Sequence, residues 1–214
     1  ASCKARPKSL PFAADKSADL LQAIFNSGPT PMWISDEKGT LIMSNKALRK
    51  ILRLREKEIR GVYNVFNDNL VQEQGCMPLV KKVYQKGETV NFYLEWDSSR
   101  LLHMSFKETV LKMLEVTIVP IKNEKGKVTN AIIQLMDVTE QKEREKELQE
   151  SDEKFSTMFK AAPNLMAITT VNEGKFTDVN EQYFRFTGYS YNELIGHTSR
   201  ELGLWADARK RDEI

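Results

Sequence analysis

The residues best suited to metal binding or covalent chemistry are few in this 214-residue sequence and lie far apart. The chain has two histidines, His103 and His197, and two cysteines, Cys3 and Cys76, with no CxxC or HExxH spacing among them. Zinc sites and zinc-dependent hydrolases need such ligands at short, regular spacings. The sequence also lacks a Gly-rich phosphate loop and a GxSxG nucleophile motif. We therefore expect no catalytic or metal centre in this segment.

Charge and hydropathy exclude further classes. The net charge is +2, and basic residues form no stripe beyond Lys4, Arg6 and Lys8, so we expect no nucleic-acid partner. No apolar run approaches the roughly 20 residues that cross a bilayer, so we expect no membrane contact by this segment. Two isolated cysteines are typical of free thiols in a reducing compartment. This predicts a cytoplasmic location, either alone or as part of a membrane-anchored receptor.

The carboxylates are concentrated in turns and in one charged segment, DVTEQKEREKELQESDEKFSTMF at 137–159. Strong helix formers fill this segment, and apolar residues are sparse before Phe155. Thr139 is the expected N-cap, because its hydroxyl can accept a free N–H of the first helical turn. A segment this polar cannot form a core, so we interpret 140–158 as a charged linker helix between two folded units.

The elements before that helix must position any site. Apolar alternation and turn residues predict five strands, at 32–35, 40–44, 90–96, 112–121 and 128–136. Helical spacing predicts a helix through Leu20 and Phe25, and short helices between the second and third strands. The stretch 97–111 is expected to be a short helical or irregular insertion that begins near Ser98.

A repeat links the two ends of the chain. A first series recurs 134 positions later: Phe25, Pro29, Met32 and Ile34 return as Phe159, Pro163, Met166 and Ile168. A second series recurs 135 positions later: Gly39, Asn45 and Gly61 return as Gly174, Asn180 and Gly196. An ordered series with a single slip predicts tandem domains, because solenoid repeats are shorter. The second copy lacks the three later strands, so the natural chain is expected to continue.

This order of elements, with a few motifs, resembles the PAS domain family. The motifs are Asp137-Val138-Thr139-Glu140 after the last strand and the glycines Gly61 and Gly196, which close EKEIRG and NELIG. The run DVNEQYFRFTGYSYNELIGHTSRELGLW at 178–205 is similar to the first half of PAS domains in bacterial and archaeal sensor proteins. The resemblance covers about 18–214. It implies an α+β fold: a five-stranded antiparallel sheet with helices on one face, a linker helix and a partial second PAS unit.

The resemblance also implies a sensory or signal-relay module of a larger signal-transduction protein. A two-component sensor histidine kinase is the first expectation for the output domain of the same chain. The alternatives are a constitutive dimerisation or protein-interaction module without ligand, and the sensor part of a diguanylate cyclase or transcription regulator. Asp137 and Thr139 are the expected signal-relay residues. Because this segment has no catalytic motif, we expect any enzyme activity to lie in the output domain.

Some members of the family hold a ligand between sheet and helices. The inner face is expected to carry a strongly apolar set: Trp33, Ser35, Val116, Ile118, Ala131, Ile133 and Leu135. A filled apolar core is the competing interpretation, because ligand sites usually add a few placed polar groups. No cofactor is required. Haem is not expected, because the predicted helix 78–85 has no histidine, and covalent flavin is not expected, because 62–74 has no NCRFLQ-like motif.

The expected organisation has four parts: a loose segment at 1–16, a complete PAS domain at 17–139, the linker helix at 140–158 and a truncated second PAS domain at 159–214. On the outer sheet face, Ile132 and Met136 are apolar and could contact the N-terminal helix of the same or another chain. We expect a homodimer through the N-terminal and linker helices, with a small-molecule ligand as a further candidate partner.

Overall fold

The structure, a computed structural model, describes residues 14–102, 104, 106 and 108–204. The chain divides into two compact units, Ala1–Lys142 and Glu143–Ile214. The helices are α1 (Ala14–Ser27), α2 (Lys46–Ile51), α3 (Glu56–Ile59), α4 (Asn69–Glu73), α5 (Met77–Lys86), α6 (Thr139–Ala161), α7 (Glu181–Thr187) and α8 (Tyr191–Leu194). The strands are β1 (Met32–Asp36), β2 (Leu41–Ser44), β3 (Val90–Asp97), β4 (Leu111–Lys122), β5 (Val128–Asp137), β6 (Ala167–Thr169) and β7 (Phe176–Val179). Short 3-10 helices lie at Val65–Asn67 and Ser98–Arg100.

The first unit is built on one antiparallel sheet with the strand order β2-β1-β5-β4-β3. Side chains alternate across it, so that Phe92, Leu94 and Trp96 of β3 are buried while the residues between them are exposed. Buried residues of the short helices, including Leu48 and Val80, complete the same core. The α+β fold with helices on one sheet face is thereby confirmed.

Both edge strands of this sheet are partly covered by other parts of the unit. Beside β2, the Leu41 N–H donates to the Tyr63 carbonyl at 2.9 Å, and the Leu41 carbonyl accepts from the Gly61 N–H at 2.8 Å. Beside β3, the side-chain amide of Gln74 donates to the Glu95 carbonyl and accepts the Glu95 N–H, each at 2.8 Å. A bare strand edge can pair with another chain, and these contacts remove part of that possibility.

The five predicted strands agree with the observed ones to within one residue at each end, and a 3-10 helix begins at Ser98 as expected. Two expectations differ. The first helix begins at Ala14, so 14–16 are not loose, while the rest of the predicted loose segment lies outside the described residues. The linker helix begins at Thr139 itself, so Thr139 is the first helical residue and not the N-cap.

A fully buried asparagine joins β1, the segment before it and α2. The Oδ1 of Asn45 accepts the N–H of Met32 at 3.1 Å and the N–H of Leu48 at 2.9 Å, and its Nδ2 donates to the Thr30 carbonyl at 2.8 Å. One side chain thus satisfies an orphan donor at the start of α2 and fixes the entry of β1.

The second unit repeats this arrangement. Asn180 is also fully buried; its Oδ1 accepts the N–H groups of Met166 and Tyr183 at 3.1 and 3.2 Å, and its Nδ2 donates to the Asn164 carbonyl at 2.8 Å. The described part of this unit has a two-stranded β6–β7 pair and a small core of Phe176, Val179 and Leu194.

Candidate ligand cavity and relay site

Most of the predicted inner-face residues surround a cavity in the first unit. Trp33, Val116, Ile118, Ile133 and Leu135 line this cavity, which has a volume of about 40 Å³. All five side chains are at most 7% exposed. The sheet register brings them together, because Ile133 lies opposite Trp33 on one side and Ile118 on the other.

Ser35 and Ala131 are fully buried but lie outside the lining of the cavity. They face each other across β1 and β5. The Ser35 hydroxyl is hydrogen-bonded to the Tyr84 hydroxyl at 2.6 Å, and the Nδ2 of Asn130 donates to the Ser35 carbonyl at 2.9 Å. The Ser35 hydroxyl therefore bonds β1 to α5 and is not a group of the cavity lining.

Two lining residues that carry polar atoms, Tyr63 and Trp96, were not among the predicted site residues. The alternation of β3 was a usable signal for Trp96, since Phe92 and Leu94 precede it on the same face. Tyr63 lies in the irregular stretch after α3, where no periodicity marks an inner face. Its ring packs edge-on against Trp33 at 5.3 Å and against Trp96 at 6.4 Å between centroids.

A buried carboxylate holds Tyr63 in place. The Tyr63 hydroxyl donates to Oδ2 of Asp68 at 2.6 Å, while Oδ1 of Asp68 accepts the N–H groups of Leu70 and Val71 and so caps α4. Burial raises the pKa of Asp68, although these three hydrogen bonds oppose the change. Burial also raises the pKa of Tyr63 well above its usual value, with the Asp68 charge adding to the effect. Asp68 therefore acts as a structural acceptor beside the cavity.

The size and lining of the cavity limit what it can hold. Organic ligands usually occupy pockets of about 300–1,000 Å³, whereas this cavity of about 40 Å³ has room for a molecule not much larger than water. A haem or flavin does not fit in the described conformation. The lining side chains are aliphatic and aromatic, with Met104 among them, and polar N–H or O–H groups occur there only on Trp33, Tyr63 and Trp96.

The two predicted relay residues lie where β5 passes into α6. Nζ of Lys112 contacts Oδ2 of Asp137 at 2.8 Å. Oδ1 of Asp137 accepts the Thr139 hydroxyl at 2.5 Å and the Thr139 N–H at 3.1 Å. Burial raises the pKa of Asp137, but the hydrogen bonds from Lys112 and Thr139 lower it more, so the net change is downward. The carboxylate is thereby held ionised at the start of α6.

The start of α6 is also bonded to the backbone of β4. The Met113 N–H donates to the Thr139 hydroxyl at 3.0 Å, so this hydroxyl bonds α6 to β4 rather than capping the helix. The Met113 carbonyl accepts the Val138 N–H at 2.9 Å. The neighbouring Leu114 lines the cavity and lies opposite Asp137 in the sheet register. On β4, the residue that bonds to the start of α6, Met113, is therefore next to a residue of the cavity lining, Leu114.

A further contact fixes the first turn of α6 on the outer sheet face. Nζ of Lys142 lies 4.8 Å from the ring centroid of Tyr93 on β3. Such cation–π contacts contribute about 0.5–1 kcal/mol at exposed sites. Lys142 is half-buried, whereas the next residues of α6 are exposed. The attachment of α6 to the first unit therefore extends as far as Lys142.

The remaining candidates for chemistry are not grouped. Cys76 is a buried free thiol, and His197 contacts Glu201 at 3.7 Å on the surface, while His103 lies outside the described residues. Within the described part of the chain, no three His, Cys, Asp or Glu side chains converge as a metal site. No helix in that part is both long and apolar enough to cross a membrane.

Comparison with known families agrees with this fold. Sequence models of the PAS domain match residues 29–140 and, separately, 153–214. Since the first match alone covers more than half of the chain, the chain belongs to the PAS domain family. PAS domains are generally non-catalytic sensor modules that commonly mediate dimerisation. No curated protein matches the sequence.

Among solved structures of low identity, one with a TM-score above 0.5 supports the fold, and two others are similar at lower TM-scores. An RNA-binding light-oxygen-voltage receptor is 18% identical, with a TM-score of 0.51 over 73% of this chain and 42% of the receptor. The PAS domain of an HTR-like protein from Haloarcula marismortui is 15% identical, with a TM-score of 0.44 over 57% of this chain and 93% of that domain. The PAS domain of Bordetella pertussis BvgS is 14% identical, with a TM-score of 0.43 over 65% and 98%. The chain thus spans less than half of the first of these proteins.

Proposed function

We propose that this chain is a sensory and signal-relay segment of a larger signal-transduction protein. It comprises a complete PAS domain at 17–139, a linker helix at 140–158 and the N-terminal part of a second PAS domain at 159–214. The observation that carries the proposal is the attachment of α6 to β4: Met113 makes two hydrogen bonds to Val138 and Thr139, directly beside the cavity residue Leu114.

The relay would act through strands that serve both sites. Val116 and Ile118 on β4, and Ile133 and Leu135 on β5, line the cavity, and the same two strands carry Lys112 and Asp137. A ligand or partner that displaces these strands would move the groups that hold the first turn of α6. The exposed part of α6 would then pass a rotation or tilt to the domain that follows. Asp137 and Thr139 are the relay residues of this scheme.

The host protein is proposed to be a cytoplasmic two-component sensor histidine kinase, or the cytoplasmic part of a membrane-anchored one. The output domain would follow in the same chain and carry the catalysis. A diguanylate cyclase or a transcription regulator would use the same linker helix. These alternatives differ only in the output domain, so the activity of the full-length protein distinguishes them.

Disulfide crosslinking in the full-length protein tests the relay. Single cysteines are placed at 141, 145, 148 and 152 of α6 in a background without Cys3 and Cys76. Lys112→Met removes the contact with Asp137, and Lys127→Met is the matched control, because it removes an exposed 2.8 Å contact with Glu37 at the far turn of the sheet. We expect Lys112→Met alone to change the crosslinking pattern and the output activity. An unchanged pattern would mean that α6 is only a spacer.

A second candidate function is constitutive dimerisation without a ligand. The small cavity favours it, and so does the apolar face of α1, where Leu20, Leu21 and Ile24 are each more than half exposed. A homodimer through α1 and α6 would cover these residues. Replacing Leu20 and Ile24 with serine should then abolish dimerisation in light scattering. If Lys112→Met also leaves the crosslinking pattern and output unchanged, this second function is preferred over relay.

A further inference from the structure

The segment 46–60, which contains α2 and α3, is strongly basic in a chain that is nearly neutral overall. It holds seven lysines and arginines and two glutamates, whereas the whole chain has a net charge of +2. Apolar residues interrupt these positions, so the basic residues form no continuous run in the sequence. Such a local excess of positive charge attracts anionic partners if the fold collects it on one surface.

Folding collects these charges on one side of the first unit. Lys46, Arg49 and Lys50 have the i, i+3, i+4 spacing that places side chains on one face of a helix, whereas the leucines of the segment are buried. Glu56 at the start of α3 joins the two helices, because its carboxylate contacts Nη1 of Arg49 at 3.7 Å and Nη1 of Arg60 at 3.6 Å. The two helices thus present one basic surface, which is defined by the lysines and arginines of 46–60.

The arginines and the lysines of the basic surface differ in what they contact. The four arginines each contact a glutamate carboxylate of the first unit. The three lysines, Lys46, Lys50 and Lys57, are exposed, and among the described residues no carboxylate pairs with them. Their ammonium groups are compact, strongly hydrated point charges, whereas a guanidinium group binds a single phosphate in bidentate geometry. The available charge therefore suits long-range attraction to an extended negative surface.

We propose that the basic surface binds the surface of an anionic lipid membrane. Each lysine or arginine close to such a membrane raises the affinity about five-fold. Two exposed apolar residues adjoin the α3 end of the surface. Val62, which is 57% exposed, follows Arg60 by two positions, and Ile42, which is 37% exposed, lies on β2, the strand to which this same segment is hydrogen-bonded. The contact is peripheral, so it does not need the long apolar run whose absence led us to expect no membrane contact.

Proteins and nucleic acids fit the basic surface less well than a membrane does. Protein interfaces are enriched in aromatic residues and depleted in lysine, yet 46–62 has no aromatic residue and its unpaired charges are lysines. Single-stranded nucleic acids are bound largely by stacking on aromatic rings, which this segment lacks. Phosphate contacts to a duplex make no use of the exposed Ile42 and Val62, whereas an anionic membrane uses both the charges and the aliphatic side chains.

Co-sedimentation of the full chain with lipid vesicles tests the proposal. The probe is a phosphatidylcholine vesicle with about one quarter phosphatidylglycerol, and a vesicle of pure phosphatidylcholine is the matched control. We expect binding to the anionic vesicle alone, with a steep fall between about 0.01 M and about 0.15 M salt, because the Debye length shortens from about 30 Å to about 8 Å. Equal binding to both vesicles, or no binding to either at about 0.01 M salt, would overturn the proposal.

Two triple variants of equal net charge make the assignment specific. The first removes the unpaired charges of the basic surface and should weaken binding to anionic vesicles about a hundred-fold, at about five-fold for each charge. It combines Lys46→Gln, Lys50→Gln and Lys57→Gln. The control removes three exposed lysines elsewhere in the first unit and should keep the affinity within about three-fold. It combines Lys81→Gln, Lys82→Gln and Lys125→Gln. An equal loss in both variants would refute a localised docking surface.

Fluorescence anisotropy with labelled double-stranded DNA, single-stranded RNA and a polyglutamate peptide covers the other classes of partner. We expect each of these to bind more weakly than anionic vesicles do. Tighter binding of any of them, lost in the variant of Lys46, Lys50 and Lys57, would assign the surface to that partner and overturn the proposal. Both triple variants should keep the unfolding midpoint in urea, because all six side chains are exposed, so lost binding reports the surface and not the fold.

Discussion

Removing the buried amide of Asn45 should unfold the first unit far more easily. Asn45→Ala leaves two N–H groups, of Met32 and Leu48, and the Thr30 carbonyl without their partner. Each buried group left unsatisfied destabilises by about 1–3 kcal/mol. Two of the three bonds are only partly buried, so some water can compensate. We therefore expect a loss of about 3–5 kcal/mol in the free energy of unfolding, a large part of a typical domain's stability.

The matched control is another asparagine with similar bonds but no burial. Oδ1 of Asn123 accepts the N–H groups of Lys125 and Lys127 at 3.0 Å each, in the exposed turn between β4 and β5. Water replaces these bonds after Asn123→Ala, so the expected loss is about 1 kcal/mol or less. The comparison separates the effect of burial from the effect of removing an asparagine.

Native-state hydrogen exchange of β4 and β5 is the suitable assay, because it reports the first unit even where the second unfolds separately. Asn45→Ala should accelerate the slowest exchanging amides of these strands by at least a hundred-fold. Asn180→Ala, which removes the corresponding side chain of the second unit, should leave them unchanged. A loss below about 1 kcal/mol for Asn45→Ala, or an equal loss for Asn123→Ala, would refute the reasoning from burial.

Three further changes have definite expected outcomes. The pKa of Asp137 is lowered on folding, so its contribution to stability is present above the unfolded pKa of about 4 and disappears as pH falls through the lower folded pKa. Asp137→Asn should therefore reduce the free energy of unfolding at pH 7 by about 0.5–1 kcal/mol and flatten the acid denaturation curve below about pH 4. An unchanged curve would contradict this reasoning. Gln74→Ala should speed amide exchange at Glu95 and promote self-association in size-exclusion chromatography, and unchanged exchange would show that the amide pair is unimportant. Arg53 adopts φ of 54°, so Arg53→Gly should raise the free energy of unfolding by about 0.5–1 kcal/mol in denaturant titrations, and a lower midpoint would contradict the strain argument.

Most of the fold could be predicted from local patterns in the sequence. Strict alternation of apolar and polar residues marks β3 as a strand and places Phe92 and Leu94 on its inner face. The recurrence of Asn45 as Asn180 located the second unit, and both side chains make corresponding hydrogen bonds. These features depend on near neighbours in sequence, which is why they could be predicted.

The missed features depend on pairing between distant segments. The bond from the Met113 N–H to the Thr139 hydroxyl joins residues 26 positions apart, so Thr139 was assigned a local capping role that its tertiary partner displaces. Ser35 was predicted for the inner face, but its bond to Tyr84 on α5 is not visible in a strand pattern. The size of the cavity follows from how all these side chains interlock, and no periodicity encodes it.

The covered strand edges have a consequence for selectivity between related sensors. A cell that contains many PAS proteins contains many similar sheets, and backbone edges pair with little regard to sequence. Here the Gln74 side-chain amide is hydrogen-bonded to the N–H and carbonyl of Glu95, and Gly61 and Tyr63 are hydrogen-bonded to the carbonyl and N–H of Leu41. At these positions the backbone groups are already paired, so another chain could associate there only through side chains. A single side-chain amide can thus reduce backbone pairing between this sheet and the sheets of related PAS proteins.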